Sequence, residues 1–318
     1  MIVALTLLMA AAIVAVTGRS WLGMLSRSAP PALALTAWIG SIAGVFFLVG
    51  SAVLVLMWPD HAPAEGVVEL AIRCLGSLQH AAQPWVGESV AAVSFTVAAV
   101  AAVRLTRLGR RQLRDRTKVR DHHRDVLSIL ARTEPGHDRV MWLDHPLPLA
   151  YSIDGRPGYI VATAGLLECL DPEQQRAVIL HERAHLRGQH HRIVAVCEIL
   201  AKAFPLVPLF AAAPHAVRVL VELAADRAAA EQTSAEAVRT ALATVSAADS
   251  ARPRWALGVL GESTTERLRR LDVSTYSAKH TRPGTYAAMA MLPLVVPATM
   301  AVVALSAVSA LACVLLQT

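Results

Sequence analysis

The chain has 318 residues, 55% of them hydrophobic and only 17% charged, with a mean hydropathy of +0.47, a composition that excludes an ordinary soluble enzyme of this size and predicts a membrane protein. The net charge of +6 gathers beside apolar segments with few aromatics interleaved, so it points to membrane orientation and no direct nucleic-acid binding is expected. Cys74, Cys169, Cys197 and Cys313 form no CxxC pair, which argues against both a disulfide framework and a thiolate zinc site.

Residues 2–16 are apolar but lack the basic start and the cleavage site of a secretory signal, so they predict an uncleaved first transmembrane helix. A loop over 17–32 with Arg19 and Arg27 follows, then a second uncharged span from Leu33 to Trp58, with Trp38 and Trp58 placed as interfacial aromatics. After an acidic loop over 59–85 comes a third span, from about Val86 to Val103. Between Arg104 and Arg124 stand eight Arg and one Lys, and the positive-inside rule makes that run cytoplasmic, with the 59–85 loop and the amino terminus outside. Its basic residues read as a solvated cluster facing the lipid bilayer. A last uncharged segment, Tyr286 to Leu316, spans once and leaves Gln317 and Thr318 beyond it.

The division expected is therefore a membrane region over 1–103 with three transmembrane helices, a basic juxtamembrane segment over 104–125, a mixed soluble domain over 126–283 and a carboxy-terminal transmembrane helix over 284–318. Multi-pass insertion in the cell membrane follows, with the soluble domain facing the cytoplasm. Within that domain residues 139–170 read as short strands joined by Pro and Gly turns, and Tyr159 to Thr163 is a strand leading into a short helix. Residues 193–221 are apolar but interrupted by Pro205, Pro208 and Pro214 and by scattered charges. They predict a broken helical excursion at or within the membrane.

The chemistry starts in AVILHERAHLRGQHH. On a helix His181 and His185 lie one above the other and can present two imidazoles to one metal ion, with Glu182 beside them, the HExxH pattern of zinc peptidases. Asp171 as cap, Pro172 at the first helical position and Gln174 as capping-box partner start that helix at about 172, and Gly188 ends it. Catalytic zinc takes three protein ligands, and the residues offer two candidates for the third. His191 satisfies the metzincin spacing HExxHxxGxxH, although the only later methionines, Met289, Met291 and Met300, fall in the last apolar segment. Glu222, in VELAADRAA, shares a helix face with Asp226 on a predicted helix from about His215 to Glu231, so that one carboxylate can bind metal and the other orient a ligand histidine. If Glu222 is the ligand, the stretch before it must return to the side of the membrane it left.

Together ATAGLLECLDPEQQRAVILHERAHLRGQH, FPLVPLFAAAPHAV, VELAADRAA and TTERLRRL resemble the BlaR/MecR family of integral-membrane zinc peptidases, and more distantly the HtpX and CAAX-protease-like group, over roughly residues 140–272. The resemblance implies a mainly α membrane protein, with about four transmembrane helices and an inserted cytoplasmic α+β gluzincin-like zinc peptidase domain. It implies one zinc ion per chain on His181, His185 and Glu222, with Glu182 as catalytic base and Asp226 supporting the site. His190 takes the family's recurring His or Asp position. Substrate backbone is expected to add as a strand to an exposed edge at Gly158, Tyr159, Ile160, Val161, Ala162 and Thr163. His190 and Arg227 are candidates for assisting the oxyanion. BlaR and MecR receptors carry a penicillin-binding sensor domain after the last span; two residues follow it here, so sensing of a β-lactam by that route is not expected.

The function expected is Glu-assisted attack of a metal-activated water on a peptide bond of a cytosolic transcriptional repressor or of a membrane protein. The alternative is a non-catalytic membrane signal transducer or scaffold with a retained metal site, which has no need of Glu182. A site-2-type intramembrane protease fits less well, because HERAHLRGQHHR is too charged for a lipid-buried helix.

Overall fold

A computed structural model describes residues 2–57, 92–93, 95–118, 120–121, 131–133, 140–155, 158–250 and 260–271. They fall into two compact units. In the first, α1 (Ile2–Ser28) and α2 (Pro31–Met57) form an antiparallel hairpin across Ala29 and Pro30. The expected loop over 17–32 is thus helical as far as Ser28. Its polar side chains do not break the helix because Thr17, Ser26 and Ser28 donate to carbonyls four residues back, at 2.7, 2.7 and 3.2 Å. Trp38 is not an interfacial anchor: it is buried against α1, where its indole N–H donates to Ser26 Oγ at 3.1 Å. Leu5, Met9, Ile13 and Val16 form an exposed apolar stripe on α1, a surface suited to hydrocarbon.

Residues 200–213 belong to the same unit. There the Phe46 ring stacks on Phe210 (centroids 5.5 Å apart) and lies 6.3 Å from Phe204, while Leu209 approaches Gly18 so closely that a Cβ would stand 3.0 Å from its Cδ1. The helix α3 (residues 95–118) runs without a break through the boundary expected at 103/104. Residues 92–93 are helical as well; residues 86–91 and 94 of the span expected over 86–103, and the whole of that over Tyr286 to Leu316, lie outside the described residues. Among the described residues three helices are long and apolar enough to cross a membrane, at Ala4–Ser28, Pro31–Leu54 and Pro208–Ala230.

The second unit, residues 109–199 and 214–271 where described, is mixed α and β. Strands β1 (Ala131–Thr133), β2 (Val140–Leu143), β3 (Ala150–Ile153) and β4 (Tyr159–Thr163) form one sheet in the order β1-β2-β4-β3, antiparallel except for the parallel β2–β4 pair. The short α4 (Ala164–Cys169) leads to α5 (Pro172–Arg187), followed by α6 (His190–Ala203), α7 (Pro208–Ala230), α8 (Ala235–Ser250) and α9 (Leu260–Leu271). The sheet buries Val140, Ile160 and Ala162 against Leu166, Leu170 and Ala241, with Val178, Ile179 and Leu186 of α5 at the margin. A second apolar cluster ties α5 (Ala177, Leu180) to α7 (Ala229, Ala230), α8 (Ala237, Val238) and α9 (Leu271). The helix α5 is therefore fixed on two sides, and what it carries is held still.

Two expectations need correction. β4 is an interior strand, paired with β2 on one side and β3 on the other, so Gly158, Tyr159, Ile160, Val161, Ala162 and Thr163 offer no free edge. Among the described residues the outer strand on this side is β3. In addition, α7 starts at Pro208, seven residues before the expected start. Pro208 suits a first helical position, and Pro214, inside the helix, has no N–H to donate to the Phe210 carbonyl.

Candidate metal centre

The start of α5 is as the residues predict. Asp171 Oδ1 accepts from the Gln174 N–H at 2.9 Å and Gln174 Oε1 accepts from the Asp171 N–H at 3.2 Å, a reciprocal capping box with Pro172 next to it, stabilising by about 1 kcal/mol. At the other end Gly188 has ordinary helical angles, and Gln189, at φ 50°, takes the left-handed turn. Gly188 is needed for space: a Cβ there would stand 2.3 Å from His190 Nε2.

That frame places the ligand candidates. His181 Nε2 and His185 Nε2 are 3.1 Å apart, and each is 3.5 Å from a carboxylate oxygen of Glu222 on α7. Three donors held about 2.0–2.1 Å from one ion at tetrahedral angles stand about 3.3 Å from one another, so the triangle fits the ligand set of a single zinc. His181, His185 and Glu222 form a group able to hold a metal ion. Glu222 stands 37 residues after His185, and the turn over 204–207 between α6 and α7 brings it back.

The surroundings set the proton positions. Asp226, 3% exposed, accepts from His181 Nδ1 at 2.9 Å, which leaves Nε2 of His181 facing the site. Burial disfavours the charged His181, but hydrogen bonds to Asp226 and Glu222 outweigh it and raise its pKa to about 9. His185 is buried and beside His181, and its pKa falls to about 3; burial likewise lowers that of His190 to about 4. Both are neutral imidazoles. Their Nδ1 atoms are 3.0 Å apart, so with Nε2 of His185 turned to the site its Nδ1–H donates to His190, whose own proton sits on Nε2. Glu182 is half-buried, and desolvation raises its pKa, against the lowering effects of His181 and a hydrogen bond from Ser152. A carboxylate shifted upward in this way is a better proton acceptor at neutral pH than an exposed one.

Arg267 on α9 completes the arrangement. It grips Asp226 with two bonds of 2.7 Å and reaches Glu222 Oε2 at 3.2 Å. This residue lies in TTERLRRL, yet the sequence assigned it no role, since an arginine 41 residues beyond Asp226 on an amphipathic helix looks like a solvent-facing charge. Arg227 pairs with Glu231 at 2.9 Å, and His190 is engaged with His185. His191 is not in the converging group: its ring centroid is 5.9 Å from that of His185, and its Nε2 lies 3.1 Å from Ser152 Oγ.

The sequence profile of peptidase family M48 matches residues 114–217, which supports a metallopeptidase of the M48 family. M48 peptidases are zinc enzymes, in keeping with the His/Glu group. The matched stretch contains the HExxH helix and ends at Val217, so the parts played by Glu222, Asp226 and Arg267 rest on geometry. No solved structure matches the chain significantly.

Proposed function

We propose that this chain is a membrane-embedded zinc endopeptidase of the BlaR/MecR type, multi-pass in the cell membrane, with its site facing the cytoplasm. The observation that carries the reading is the convergence of His181, His185 and Glu222 with Glu182 adjoining them, inside a stretch matched by a metallopeptidase family. The basic run of α3 supports the orientation, and its exposed Arg107, Arg111, Arg114 and Lys118 suit an anionic bilayer surface. The substrate is a cytosolic repressor-type protein or a membrane protein.

Zinc at this site would supply a lowered water pKa and a polarised peptide carbonyl. The residues do the rest. Glu182 takes the proton of the attacking water and later delivers it to the leaving amine. His181 is held by Asp226 and His185 by His190, so neither ring turns as charge develops. The peptide enters as an added strand along β3. Thr163 N–H donates to Leu149 O at 3.1 Å, which makes 149/163, 151/161 and 153/159 the bonded pairs and turns the main-chain groups of Ala150 and Ser152 away from β4.

Comparing proteomes of cells that express the wild type or Glu182→Ala tests this reading. Fragments present only with the wild type are expected; cleavage retained by the variant sinks the assignment.

A further inference from the structure

His191 matches the metzincin ligand spacing but is bonded elsewhere, to a serine on the outer strand. Ser152 on β3 is buried, at 9% exposure, and its hydroxyl has two neighbours of consequence: the His191 ring, 3.1 Å away, and the Glu182 carboxylate, whose charged form it favours. A serine hydroxyl has one proton to give. If His191 presented a bare Nε2, it would take that proton and leave Glu182 without its donor. With the proton of His191 on Nε2, the ring donates to Ser152 Oγ and the hydroxyl proton is free to point at the carboxylate. A single tautomer therefore satisfies all three groups, in a directed chain from His191 through Ser152 to Glu182.

The chain is anchored at its far end. Arg116 of α3 donates to the His191 carbonyl at 2.8 Å and pairs with Glu198 at 3.4 Å, while Gln112, one turn earlier, donates to the same carboxylate at 2.7 Å and Arg218 of α7 also holds it. The first turn of α6, and with it the His191 ring, is thus fixed from outside the metal centre. We propose that Ser152 and His191 are positioning residues of the peptidase site, a relay that fixes the Glu182 carboxylate and couples its orientation to the strand along which the substrate lies. Ser152 is where the two requirements meet, since its main chain faces the docking edge and its side chain holds the base. The proposal rests on the peptidase reading above.

The test uses the full chain in lipid nanodiscs, with fluorescein-labelled β-casein as probe, alongside the Ser152→Ala, Ser152→Thr and His191→Ala variants. Loss of one hydrogen bond to a charged group predicts a fall in kcat of about ten- to a hundredfold for Ser152→Ala, with KM within about threefold of wild type. Ser152→Thr, which keeps the hydroxyl on a strand-compatible side chain, restores most of the rate. Zinc content stays at the wild-type level in all three. A second readout needs no catalysis: in 15N-histidine-labelled protein, with the His191 signal assigned by its absence from His191→Ala, His191 is the Nε2–H tautomer and its signal shifts in Ser152→Ala. Equal kcat in Ser152→Ala and wild type, no rescue by Ser152→Thr, or an Nδ1–H tautomer for His191 overturns the proposal while leaving the peptidase reading standing. Wild-type protein that retains zinc but cleaves casein no faster than Glu182→Ala overturns both.

Discussion

Replacing Arg267 with alanine separates the electrostatics of this site from its packing. In the native chain the guanidinium makes two bonds of 2.7 Å to Asp226 and one of 3.2 Å to Glu222, and the side chains of Arg267 and Asp226 are 16% and 3% exposed, so water screens the pair weakly. Removing one partner of a buried pair leaves the other charge uncompensated, at a cost of about 3–5 kcal/mol. At about 2–4 °C per kcal/mol for a domain of this size, the metal-free protein should unfold about 6–20 °C lower than wild type. Zinc on His181, His185 and Glu222 restores positive charge among the same carboxylates, so the loss in the zinc-loaded form should be markedly smaller. Thermal unfolding of both proteins at one scan rate, with zinc and after chelation, reads the difference. Equal losses in the two forms, or none in the metal-free one, refute the charge-compensation argument.

Other consequences are as concrete. Metal analysis should find zinc lost from Glu222→Ala and kept in His191→Ala; the reverse result makes His191 the third ligand. His181, with its pKa raised to about 9, is protonated in the metal-free protein at pH 7.5 and must give up its Nε2 proton to bind metal. Zinc binding should therefore release about one proton per ion at that pH, and apparent affinity should rise as pH approaches 9, by about tenfold per unit, and then level off. Titration calorimetry in buffers of different ionisation enthalpy measures this. Gly188→Ala should push His190 off His185, because the new Cβ would stand 2.3 Å from His190 Nε2; a fall in zinc affinity of about 10–100-fold is expected in a chelator competition assay. Gln189→Gly relieves the left-handed φ of 50° and should stabilise the chain by about 0.5–1 kcal/mol in denaturant unfolding.

What the sequence makes legible here is what is local. The capping box at Asp171 and Gln174 and the pairing of His181 with His185 need only a helical period, and the structure shows that capping box and that pairing. Spacing alone leaves Glu222 open to a rival, because the choice between it and His191 depends on the turn over 204–207, between α6 and α7, that brings α7 back. The strand order was beyond reach for the same reason. Val161 and Ala162 sit in an apolar run that reads as a strand, but nothing in it says that β2 will pair on one side and β3 on the other, which is what makes β4 interior. Arg267 and Ser152 were missed because their partners are distant in the chain and neither residue type in its local pattern signals burial. Trp38 was misplaced through a preference of residue type, its indole being taken up by Ser26 on the neighbouring helix. The loop expected over 17–32 is helical to Ser28, because the hydroxyls of Thr17 and Ser28 bond back into the helix they occupy.

The most direct measurement combines zinc content with casein hydrolysis on three preparations of the full chain. The account predicts about one zinc per chain and hydrolysis for the wild type, the same zinc without hydrolysis for Glu182→Ala, and neither for Glu222→Ala. Hydrolysis by Glu182→Ala at the wild-type rate, or by a wild type stripped of zinc, would contradict it.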